Sequence, residues 1–124
     1  MEEKLSFGKY IRSLREARKK TDPKFSLRQF AQAVGISATF LSKVENDEFD
    51  PPAQDKIKKM AQLLGIDPDE LLGRAGKFDS ELSKIIIEQP KAMADFLRTA
   101  RDKKLSEQQI KELTDSWLQV FMLE

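Results

Sequence analysis

The sequence predicts an all-α fold. It reads as five short helices, the second and third forming a helix-turn-helix, followed by a C-terminal helical extension. Apolar residues recur at i, i+3, i+4 and i+7 in successive segments, which is the period of an amphipathic helix. Most of these segments open on a serine or aspartate able to cap a helix, and two close on a glycine suited to the left-handed conformation. The stretch Ser26 to Asn46, SLRQFAQAVGISATFLSKVEN, opens on a cap twice around one central glycine.

The first helix is expected from Ser6 to about Lys20, with Phe7, Tyr10, Ile11 and Leu14 as its apolar stripe and Ala17 extending it. Thr21-Asp-Pro-Lys reads as a breaker, because Pro23 lacks an amide donor and disfavours helix at Asp22. Ser26 then caps the second helix, Gln29 completes a capping box, and Phe25 can staple against Phe30. Leu27, Phe30, Ala31 and Val34 share one face, Gly35 ends the helix, and Ser37 offers the next cap. Leu41 and Val44 continue the apolar face through a third helix, 37–45. Asp-Glu-Phe-Asp-Pro-Pro forms the following loop. A fourth helix is expected from about Ala53 to Leu64, with Ile57, Met60, Ala61 and Leu64 facing inward and Gly65 stopping it. Asp67, Pro68 and Glu70 form a full start signal for a fifth helix, in which Leu71 and Leu72 close the core.

Gly73-Arg-Ala-Gly76 marks a boundary, so residues 1–75 read as one domain and 76–124 as a helical dimerisation or interaction segment. The segment divides into helices over about 79–88, 90–103 and 107–122. Ile85-Ile-Ile87 has strand propensity, but its polar neighbours and Pro90 favour a helix. Pro90 suits a first turn, and Ser106 with Gln109 makes a second capping box.

Composition narrows the function classes. At 40% apolar and 35% charged the chain is ordinary for a helix-rich soluble protein. Cysteine and histidine are both absent, which removes disulfides, thiolate or imidazole metal sites and the commonest general base. Nothing beyond ordinary surface acids such as Asp95 and Asp115 suggests catalysis, so no enzyme, metal or cofactor is expected. No apolar run approaches the ~20 residues that span a bilayer, and the N-terminus lacks a signal-peptide core, so the expected location is the cytoplasm. Residues 1–65 carry 13 Lys/Arg against 9 Asp/Glu, whereas residues 66–124 carry 9 against 12. A basic first half fits a polyanionic partner.

Two helices around a glycine-containing turn resemble a helix-turn-helix, whose second helix can enter a DNA major groove. Ala31, Gly35, Ile36, Leu41 and Val44, with Ser42-Lys-Val-Glu45 and Asn46 after them, resemble the phage repressor and Cro-type (Xre) family. Ile57-x-x-Met60-Ala-x-x-Leu64-Gly-Ile and Asp67-Pro-Asp-Glu-Leu-Leu72 match that family's fourth and fifth helices. The resemblance covers roughly residues 6–73. It implies a sequence-specific transcriptional regulator, a repressor, that binds double-stranded DNA at a palindromic operator as a homodimer. The exposed positions Ser37, Ala38, Thr39, Ser42 and Lys43 become the base-edge candidates. Lys43 can donate to guanine, Thr39 can bond or present its methyl to thymine, and Ala38 can only present a methyl. Ser37 can serve as cap and reader alike, while Phe40 reads as packing. Backbone contacts are implied for Ser26, Arg28, Gln29, Gln32 and Asn46, and a partly buried ion pair for Arg15 and Glu45.

Two departures from the family pattern stand out. The loop Lys20–Lys24 is longer and basic, and the loop after the third helix carries Asp47, Glu48 and Asp50 where many relatives place Gly, Lys or Arg. In the extension, Trp117, Val120, Phe121 and Leu123 are too apolar for an exposed terminal helix and become the dimerisation candidates, packing on the 79–103 helices being the other way to cover them. The alternative is an antitoxin-type DNA-binding protein whose C-terminal helices bind a partner protein.

Overall fold

Residues 4–122 are described by a computed structural model. Among them the fold is all-helical and divides into two compact units, one ending at Asp79 and the other beginning at Ser80.

The first unit contains α1 (Phe7–Lys19), α2 (Leu27–Val34), α3 (Ala38–Glu45), α4 (Gln54–Leu64) and α5 (Pro68–Arg74). Local chemistry sets most of its helix ends. The hydroxyls of Ser6, Ser26 and Ser37 accept from the backbone amides of Lys9, Gln29 and Phe40 at 3.2, 3.2 and 3.0 Å. The Asp67 carboxylate accepts from Asp69 and Glu70 in the same way. Gly35, at φ 90°, ends α2 and turns the chain into α3 within two residues. Among this unit's described α-helices, α4 starts without a side-chain cap.

Two expectations are corrected here. The segment after α1 is not merely a break, because Pro23–Phe25 forms a 3-10 turn with Asp22 as its cap. That turn also undoes half of the first capping box. The Ser26 amide donates to the Pro23 carbonyl at 3.1 Å, so it is already engaged and the Gln29 side chain is not required to satisfy it. Phe25 does pack on Phe30, with ring centroids 5.9 Å apart.

The core is one cluster drawn from all five helices. Phe7 and Ile11 of α1 meet Phe30, Ala31 and Val34 of α2, Leu41 and Val44 of α3, Ile57, Met60, Ala61 and Leu64 of α4, and Leu71 and Leu72 of α5. Burying each large side chain contributes roughly 1.5–3 kcal/mol. The helices α1 and α2 both pack against α3, and α5 closes on α4. Gly8 permits the close approach of α1 to α3, since a Cβ there would overlap the Val44 carbonyl oxygen. Around this core Arg18 donates to the Leu64 carbonyl at 2.6 Å, and the Arg74 guanidinium lies 3.8 Å over the Tyr10 ring.

The second unit contains α6 (Ser80–Glu88), α7 (Pro90–Asp102) and α8 (Glu107–Met122), with α6 and α7 packed on one another. Ile85–Ile87 is helical, and Ser106 and Gln109 form a complete reciprocal capping box at 3.1 and 2.9 Å. None of this unit's described residues is buried.

Candidate nucleic-acid interface

Helix α3 has two chemically distinct sides. Leu41 and Val44 are fully inside, and Glu45 follows them at the edge of the core. Helical spacing turns Thr39, Ser42, Lys43 and Asn46 toward the opposite side. Thr39 and Asn46 are exposed there, and Ser42 and Lys43 are half-buried. Ser37 is exposed and caps α3, while Ala38 is half-buried against the core. Phe40 lies on the flank, packed against the core on one side and against Phe49 on the other, with ring centroids 5.8 Å apart.

The orientation of α3 is held by one buried ion pair. Arg15 of α1 donates from Nε to Glu45 Oε2 at 2.7 Å and from Nη2 to Oε1 at 2.8 Å, a bidentate fork. Both side chains are about 5% exposed or less. The remaining guanidinium nitrogen donates to the Phe25 carbonyl at 3.1 Å, so one arginine ties α1, the 3-10 turn and α3 together. The Glu45 hydrogen bond, and then its charge, raise the Arg15 pKa above its ordinary value against the opposing effect of burial. The guanidinium stays charged, and its two parallel bonds fix rotation as well as distance.

The proposed backbone contacts fall on two neighbouring surfaces. Arg28, Gln29 and Gln32 are exposed along α2, and the two glutamines border an open hollow with Lys24. Ser26 is committed to capping α2. Asn46 ends α3 and accepts from Arg12 Nη1 at 3.4 Å. A second open hollow between α1 and α3 brings Arg12 and Lys19 beside Ser42 and Asn46. Arg12 was not marked by the sequence, because only the packing of α1 on α3 brings it to Asn46. In the second unit, Trp117, Val120 and Phe121 are 65%, 57% and 63% exposed, with the Trp117 and Phe121 rings stacked at 5.8 Å. Leu123 lies outside the described residues.

A short helix buried on one side, pinned at its far end and joined through a left-handed glycine to the helix before it defines a helix-turn-helix domain. Residues 11–71 match the family model described as Helix-turn-helix. The match supports an Xre-type helix-turn-helix domain in this part of the chain. Among similar proteins is the HTH-type transcriptional repressor RghR of Bacillus subtilis (strain 168). It is 39% identical over 71 residues, covering 57% of this chain and 49% of that protein. The uncharacterized HTH-type transcriptional regulator RghRB of the same organism is 39% identical over 70 residues, 56% of this chain and 47% of that one. The chain thus spans about half the length of the curated relatives it matches. A solved structure titled SinR protein/SinI protein complex is similar over 92% of this chain and 98% of that one, at 22% identity and a TM-score of 0.46.

Proposed function

We propose that this protein is a sequence-specific transcriptional repressor that binds a palindromic DNA operator as a homodimer and inserts the recognition helix 37–45 into the major groove. The observation that carries this reading is the pinned α3, whose outer face exposes Thr39 and Asn46 and leaves Ser42 and Lys43 partly accessible. A recognition helix needs such a free polar face and a fixed orientation. The repressor named among the relatives supports the direction of regulation. The protein acts through binding rather than catalysis, in the cytoplasm where its DNA is.

Homodimerisation is assigned to the second unit. None of its described residues is buried, and Trp117, Val120 and Phe121 are left uncovered on α8. The three helices, of 9, 13 and 16 residues, have no buried core among their described residues, and helices in proteins gain most of their stability from tertiary packing. A second copy supplies that packing and places two recognition helices one turn of DNA apart, ~34 Å. The same uncovered surface favours a second reading, in which the occupant is a different protein and the chain is the antitoxin of a pair.

Selection of bound duplexes from a random pool tests the proposal. A palindromic sequence with half-sites one helical turn apart is expected, and absence of any enriched sequence refutes it. Sedimentation of the purified chain separates the two occupants. A stable homodimer supports the first reading, and a monomer that co-purifies with a product of a neighbouring gene supports the second.

A further inference from the structure

We infer that Phe49, in the acidic loop after α3, is a positioning residue for Lys43 and thereby a determinant of base preference; the inference rests on the proposed reading of DNA by α3. The Lys43 ammonium lies 5.1 Å from the centre of the Phe49 ring, on its face. The ring is itself held on its other contact by Phe40, one turn before Lys43 on the same helix. The loop is folded back onto α3 by its backbone. The Lys43 carbonyl accepts from the amides of both Glu48 and Phe49, at 2.8 and 3.2 Å. Asp47 makes this reversal possible by adopting φ 61°, and its carboxylate accepts from the Ser6 hydroxyl at 3.0 Å. Pro51 and Pro52 then restrict the exit of the loop.

This arrangement gives the acidic loop a purpose that phosphate contact does not. Asp47, Glu48 and Asp50 repel a polyanion, so the loop is badly suited to grip the DNA backbone. It is well suited to hold an aromatic face beside a cation. A free lysine carries several rotatable bonds, and ordering it costs part of the discrimination that its contact with a base supplies. A ring that attracts the ammonium reduces the set of rotamers from which Lys43 approaches the groove.

The test compares Phe49→Leu, Phe49→Trp and Lys43→Ala with the unaltered full chain, each used to select DNA from one random pool. Phe49 is 47% exposed, so its replacement spares the core, and thermal melts check this. Lys43→Ala is expected to relax preference at one base pair of each half-site. Phe49→Leu, which keeps bulk but removes the ring, is expected to lower discrimination at that same base pair by about 2- to 5-fold, the range an exposed cation–π contact supplies. Phe49→Trp is expected to restore it. The salt dependence of binding should be unchanged in Phe49→Leu, because the Lys43 charge remains. Independently of DNA, the Lys43 ε-methylene protons should show a ring-current shift that Phe49→Leu abolishes and Phe49→Trp keeps.

The inference is overturned if Phe49→Leu changes nothing while Lys43→Ala relaxes one position, or if it weakens all positions alike. Either result leaves DNA reading intact. If no duplex is enriched by the unaltered protein, the reading itself fails, and the inference with it.

Discussion

Replacing Glu45 by alanine is the sharpest probe of how α3 is held. The substitution removes both acceptors of the Arg15 fork, at 2.7 and 2.8 Å, and leaves a guanidinium that is almost entirely inaccessible to water. What remains is the Phe25 carbonyl at 3.1 Å and the Glu16 carboxylate at 3.9 Å on an exposed side chain. Stranding one partner of a buried pair costs about 3–5 kcal/mol, a large share of the ~5–15 kcal/mol that stabilises an ordinary domain. In a domain of this size each kcal/mol moves the melting temperature by about 4–8 °C, so Glu45→Ala should lower it by at least about 12 °C. Calorimetry or circular dichroism of the full chain measures this. The paired variant Arg15→Met with Glu45→Leu should recover most of the loss, because both desolvation penalties disappear together. It should nevertheless bind operator DNA less tightly, since α3 has lost its bidentate tie to α1. A melting temperature for Glu45→Ala within about 4 °C of the unaltered protein would refute the reasoning, as it would mean that water replaces the carboxylate.

Further outcomes follow from other parts of the fold. The raised Arg15 pKa stabilises the fold fully below the unfolded-state value and is lost only as pH climbs through the folded-state one. Its contribution should therefore be flat across neutral pH and fade only in strong alkali, as a series of melts against pH would show. Gly8→Ala should separate α1 from α3 and destabilise the domain by more than the roughly 0.5–1 kcal/mol that glycine-to-alanine gains in an ordinary helix, read by urea unfolding. Lys43→Ala should leave stability unchanged and relax one base position, measured by binding to a set of single-substitution operators. Removal of residues 107–124 should weaken self-association and hence DNA binding, with sedimentation and circular dichroism distinguishing lost pairing from an unfolded second unit.

What the sequence revealed was mainly local. Ser6, Ser37 and Asp67 can be read as caps because the amides they satisfy lie two or three residues away, and Gly35 can be read as a turn because its conformation is its own. The same locality governs the segment after α1. Asp22 followed by Pro23 is both a helix breaker and a helix-start pattern, and the 3-10 turn it starts occupies the Ser26 amide. Contacts across the fold were not legible in this way. Arg12 reaches Asn46, Arg18 reaches the Leu64 carbonyl and Arg74 covers Tyr10 only after five helices have packed. Phe49 carries one local signal, as an aromatic residue in a loop otherwise made of acids and prolines.

Under the proposed function, the outer face of α3 and the second unit explain each other. The outer face of α3 offers Thr39, Ser42, Lys43 and Asn46, of which Lys43 alone is charged. A good bidentate base contact is worth about 1–3 kcal/mol, and one lysine with small neighbours supplies few of them. Specific binding must exceed nonspecific binding by roughly 4–10 kcal/mol, so a single copy of this helix falls short. Joining two copies makes the second half-site an intramolecular encounter, which can raise overall affinity by ~10²–10⁴ without any new contact to a base. A modest reading helix therefore calls for a strong pairing surface. On the proposed reading the uncovered Trp117 and Phe121 provide one, and substituting both by alanine should lower operator affinity far more than it lowers the melting temperature of the first unit. If operator affinity instead survives intact in that variant, the pairing of half-sites does not run through α8.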